Sequence, residues 1–164
     1  KFTFLTPERS LTRKAREIAE ATPEQGIDSF ASLGKALLLP PLTTKLEDRE
    51  RAFRDLTTDN LPADVRAYAS YFLGDLCVKE SKGKGALEAF LAVPCEYPTG
   101  GLILNAAAEL RAAELLAATG LREEAVALAT SAQRVSVGTV LSEEAANDLA
   151  RLQDRDTRFV GWRL

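Results

Sequence analysis

The chain is 164 residues long, which by length is one domain able to bury ~68–70% of its unfolded surface. A formal charge of −3, of mixed signs, provides no basic field for nucleic acid, and no apolar run reaches the ~18–20 residues that cross a bilayer. The absence of histidine removes imidazole bases, histidine metal ligands and Ser-His nucleophilic pairs, while abundant alanine and leucine with few β-branched residues favour helices.

In chain order, Phe2 and Phe4 alternate with Lys1 and Thr3 and read as an extended arm. Eight helices are predicted, at about 7–20, 23–38, 45–57, 62–80, 84–96, 102–119, 122–135 and 142–154. Thr6-Pro7-Glu8 and Thr22-Pro23-Glu24 each place a capping hydroxyl before proline at the first helical position. Thr22 with Gln25, and Thr44 with Glu47, have capping-box spacing. Pro40-Pro41 breaks the chain after the second helix, and Leu61-Pro62-Ala63-Asp64 opens the fourth. Ser142 followed by Glu143 and Glu144 supplies a cap and two acids where the helix dipole favours negative charge. Short connections make sequential helices antiparallel, so the reading is all-α, one domain over 1–164. Beyond the last helix, Phe159, Val160, Trp162 and Leu164 crowd an otherwise polar segment.

Residues 67–100 carry the most specific pattern. Leu73-Gly74 is followed by Ala86 twelve residues after the glycine, Phe90 four further, and Tyr97-Pro98 at the end. Ser70, Leu73, Gly74 and Cys77 share one helical stripe, while Ala86, Phe90 and Val93 form a facing one. Gly74 opposite Ala86 predicts a close helix crossing with Phe90 beside it. The turn Ser81-Lys82-Gly83-Lys84-Gly85 holds glycines suited to positive φ.

These residues resemble a tetratricopeptide repeat, whose hallmark is Leu-Gly, an alanine twelve residues on, an aromatic and a closing proline. Ser70 stands where the first helix of that repeat has a large aromatic. A weaker copy follows, with Ala113 and Ala125 at the same spacing, Gly120 at the turn, and an insertion around Thr99-Gly100-Gly101. Looking back, Ala52 lies 34 residues before Ala86 and Leu56 takes the aromatic slot, with Pro40-Pro41 interrupting. The resemblance implies a short right-handed α-solenoid. Residues 1–61 are irregular N-terminal hairpins, 62–136 two repeat-like units and 137–164 a capping helix and tail. The Tyr97-Pro98 ending is also similar to repeats of bacterial envelope-associated members. The chain lacks methionine and begins with Lys1, so a removed leader or anchor is expected, with the periplasm as one compartment.

Cys77 and Cys95, the only cysteines, lie about six and twelve residues from Gly83 on antiparallel helices, an axial offset of roughly 9 Å that no relaxed disulfide spans. Two free, buried thiols are expected, which favours a reducing cytoplasm instead. Lys82-Gly83-Lys84-Gly85 precedes a helix N-terminus but reads first as a solvated turn. Glu123-Glu124 and Glu143-Glu144 point apart on their helices and read as dipole partners rather than catalytic pairs. No phosphate loop or dinucleotide fingerprint occurs, and no cofactor or metal is expected.

The resemblance implies that the first helix of each unit lines a concave face. On the helix at 62–80 that face is read as Tyr68, Tyr71, Asp75 and Lys79, and on the next unit as Ala107, Leu110 and Glu114. The competing reading packs both tyrosines on the preceding hairpin and pairs Asp75 with Lys79. The function expected is a non-enzymatic scaffold holding a peptide or partner helix. Self-assembly into a homo-oligomer is the alternative, and an all-helical ligand-binding domain or enzyme comes last. Phe159 and Trp162 either cap the last helix or insert into another subunit.

Overall fold

The structure, a computed structural model, describes residues 29–40, 43–58, 61–98 and 101–154. Among these residues all regular secondary structure is helical, with no strand. Seven helices are described: α1 Ser29–Leu38, α2 Leu46–Asp55, α3 Ala63–Lys79, α4 Gly83–Glu96, α5 Leu102–Ala118, α6 Arg122–Ser136 and α7 Ser142–Gln153. The arm at Phe2 and Phe4, the helix at 7–20, the caps at Thr6 and Thr22, and Phe159 and Trp162 lie outside the described residues.

Each helix packs on its neighbour in sequence, and the odd-numbered helices also touch one another: α1 meets α3, α3 meets α5, and α5 meets α7. Two apolar clusters result. The smaller joins Leu33 and Ala36 of α1, Phe53 of α2 with the adjacent Leu56, and Val65, Ala69 and Leu76 of α3. The larger runs from the opposite side of α3 through α4, α5, α6 and α7. Tyr68, Phe72 and Leu73 pack against both, so α3 is a shared wall. Helix α5 is buried along most of its length, and its alanines let α4 and α6 approach it closely; Ala125, Ala129 and Ala132 form the buried stripe of α6.

Helix ends follow backbone geometry more than side-chain capping. The chain enters α2 through Lys45 and α7 through Leu141, in neither case with a side-chain cap, so the capping roles read for Thr44 and Ser142 are corrected. Helix α7 begins at Ser142 itself, and the preceding turn is made instead by Thr139. Its hydroxyl donates to Ser136 O at 2.6 Å and accepts Leu141 N–H at 3.2 Å. The acids Glu47, Asp48, Glu143 and Glu144 do lie in first turns, where the dipole favours them.

The α3–α4 and α5–α6 turns are built alike. Lys82 N–H reaches back to Cys77 O and Ser81 N–H to Val78 O; Leu121 N–H reaches Leu116 O and Gly120 N–H reaches Ala117 O. This is the Schellman stop, which needs one left-handed residue. Gly120 supplies it with φ 91°, but in the first turn it falls on Ser81, φ 59°. The glycines of the Ser81–Gly85 stretch were therefore misassigned by sequence: Gly83 and Gly85 belong to α4.

Candidate functional site

Phe90 organises the interior beneath the odd-numbered helices. A Cβ on Gly74 would stand 2.8 Å from its ring, so the missing side chain of Gly74 is filled by Phe90. The edge of Tyr71 meets that ring with centroids 5.4 Å apart, and the Arg111 guanidinium lies over it at 5.7 Å. Arg111 thus rises from an aromatic floor into a strip of charged side chains on α3, α5 and α7.

In that strip Arg111 donates to Asp75 Oδ1 at 2.9 Å and to Glu114 Oε2 at 3.3 Å. The other oxygen of Glu114 accepts from Arg151 at 2.9 Å, and Arg151 pairs with Asp148 Oδ1 at 3.0 Å. Three helices are therefore joined by one continuous chain of ion pairs. Asp148 Oδ2 is buried with no hydrogen-bond partner among the described residues. Burial pushes the carboxyls of Glu114, Asp148 and Glu144 above the usual carboxylate range, overcoming the pull of Arg111 and Arg151 on Glu114. Burial likewise raises the Tyr71 hydroxyl, with Asp75 adding to it. A carboxyl whose folded pKa is raised binds its proton more tightly when folded. Its contribution to stability is fully present below the unfolded pKa and is lost as pH rises through the folded pKa. The fold therefore carries charge here at a cost in stability near neutrality.

The structure divides the residues singled out from sequence. Asp75 and Glu114 come together on the strip, and Lys79 is exposed on the same helix as Asp75. Tyr68 is half-buried at the junction of the two clusters. Two readings need correction: Tyr71 is 4% exposed and Leu110 1%, so neither is a surface contact. Tyr71 is held under the strip by Phe90 and Phe72, and Leu110 is in the larger cluster because α5 is enclosed on nearly every side. Ala107 is buried with them. Asp75 pairs with Arg111 of α5.

Sequence reasoning missed Arg111, Asp148 and Arg151, and read Glu144 only as a partner of the helix dipole. A signal was present: Asp75, Arg111 and Asp148 follow one another at 36 and 37 residues, and Glu114 precedes Arg151 by 37. These spacings place opposite charges on successive odd-numbered helices, α3, α5 and α7.

Away from the strip, Lys82 bridges Glu50 of α2 at 2.7 Å and Glu80 at 2.8 Å, so this turn lysine is committed to carboxylates. Both cysteines are free. Cys77 is buried, its thiol pushed up by burial, but Cys95 is exposed, contrary to expectation, because it sits near the end of α4 on its outer side. Among the described residues no group of three or more Asp, Glu or Cys is placed to hold a metal ion, and no helix is long and apolar enough to cross a membrane. No protein-family model, curated protein or solved structure matches the chain.

Proposed function

We propose that the chain is a non-enzymatic helical-repeat module, a short α-solenoid of the tetratricopeptide-like kind, that holds a cationic peptide or helix across α3, α5 and α7. The observation that carries this reading is the ion-paired strip. It sets four acids, Asp75, Glu114, Glu144 and Asp148, against two bases, Arg111 and Arg151. Among the described residues the surplus is negative, and carboxylates in surplus beside arginines suit a lysine or arginine of the partner. Lys79 is exposed on α3, four residues after Asp75. Tyr71 and Phe90 beneath the strip fix Arg111, so the arrangement is preorganised.

The test is fluorescence anisotropy with labelled synthetic peptides of one length, lysine-rich, glutamate-rich and neutral, at low salt. The lysine-rich peptide should bind preferentially and weaken with salt. Because the strip carboxyls are raised, its affinity should climb with pH through and above the ordinary carboxylate range, then level off. Asp148→Asn with Glu144→Gln should lower it by about tenfold, equivalent to ~1.4 kcal/mol. Equal binding of all three peptides, or a double variant with unchanged affinity, would sink the reading.

A further inference from the structure

The charged strip has a gap between α3 and α5. A hollow of about 50 Å³ lies there, lined by Val78 of α3 and by Arg111, Glu114 and Leu115 of α5. Its two apolar residues belong to the larger cluster, Leu115 buried in it and Val78 half-buried against it. Neither charged residue can turn inward to fill the space without breaking an ion pair. Arg111 is held by Asp75, by Glu114 and by the face of Phe90, and Glu114 is held by Arg111 through one oxygen and by Arg151 through the other. Water in the hollow meets apolar walls and carboxylate oxygens that arginines already occupy, so an apolar group displaces it favourably.

Size and position narrow what that group is. At about 10–15 Å³ for each water-sized group, the hollow takes roughly three to five of them. A valine, leucine or isoleucine side chain fits; an alanine methyl underfills the space and a phenyl ring exceeds it. The acids in surplus, Glu144 and Asp148, stand on α7, the next odd-numbered helix along. Packed helix axes lie about 8–10 Å apart, and two residues of extended chain span roughly 6–7 Å. A lysine two residues from the aliphatic one therefore reaches α7 with its own stem.

We infer that the hollow selects the sequence of the cationic partner, an assignment that rests on the strip being the binding site proposed above. A branched aliphatic residue of the partner seats between Val78 and Leu115, and a lysine or arginine two residues away meets Glu144 and Asp148. The partner is then a basic segment with an aliphatic anchor, not a purely basic one.

Fluorescence anisotropy with the full chain tests this, using labelled peptides with the core Lys-Gly-X-Gly-Lys, where X is valine, serine or phenylalanine, beside Glu-Gly-Val-Gly-Glu. The valine peptide should bind about tenfold more tightly than the serine one, and phenylalanine should do no better than serine. Val78→Phe, which fills the hollow, should bring the valine peptide down to the level of the serine one. Val78→Ala, which enlarges it, should improve the phenylalanine peptide relative to valine, with circular dichroism reporting the helical content of both variants. Equal binding of the valine and serine peptides, both tighter than the glutamate peptide, would overturn the hollow and leave the strip standing. A valine preference that both Val78 variants retain would overturn it as well. Lysine peptides no tighter than the glutamate one would overturn the strip, and the hollow with it.

Discussion

Gly74 has no side chain where Phe90 needs room, and that single absence sets the α3–α4 crossing. A methyl at Gly74 would have to displace a ring that is fully buried and held by Tyr71 and Arg111. Gly74→Ala should therefore destabilise by about 1–3 kcal/mol in urea denaturation, despite the better helix propensity of alanine. Phe90→Leu in the same background should recover part of the loss; a midpoint unmoved by Gly74→Ala would refute the close approach. Ser81 presents the opposite case. It adopts a left-handed conformation, φ 59°, that glycine adopts without strain. Ser81→Gly should stabilise by about 0.5–1 kcal/mol, a rise of roughly 1–4 °C in Tm, and an unchanged or lower Tm would contradict the strain. The sequence identified Gly74 and Phe90 as partners, since their spacing is local. It misplaced the left-handed turn residue, because two nearby glycines satisfy a turn on paper while the backbone bonds of Lys82 and Ser81 decide where α3 stops.

Periodicity carried most of what could be read about elements. The buried stripe Ala125, Ala129 and Ala132 on α6, and Ala86, Phe90 and Val93 on α4, follow from helical spacing alone. Which face of α3 and α5 meets solvent did not follow, and Tyr71 and Leu110 were misjudged for that reason. Both helices have neighbours on several sides, so the usual contrast between an apolar face and a polar one is absent from their sequences. The strip itself was half legible. Asp75 and Glu114 stood out as charges on repeat-like helices. Arg111, which joins them, became visible only once α3 and α5 lay side by side. Matching the 36- and 37-residue spacings would have found it, because opposite charges recur there on successive odd-numbered helices. The two missed caps share one cause. At Thr44 and Ser142 the hydroxyl is one residue away from the position from which it could reach the free N–H groups.

At the scale of the whole molecule, one helix separates two apolar clusters and belongs to both. Val65, Ala69 and Leu76 of α3 complete the smaller one, while Ala67, Tyr71 and Cys77 of the same helix serve the larger. Phe53→Ala, which hollows the smaller cluster, should speed amide hydrogen exchange in α3 as well as in α1 and α2, leaving α6 and α7 unchanged. Acceleration confined to α1 and α2 would mean that the clusters open separately. The sequence offered no hint of this division, since the alternation of faces along α3 resolves only when four helices are packed around it. A consequence follows for a ligand on the strip. Asp75 grows from the helix whose far side seals Phe53, so a guest that quiets α3 would slow the breathing of α1 and α2, which it never touches.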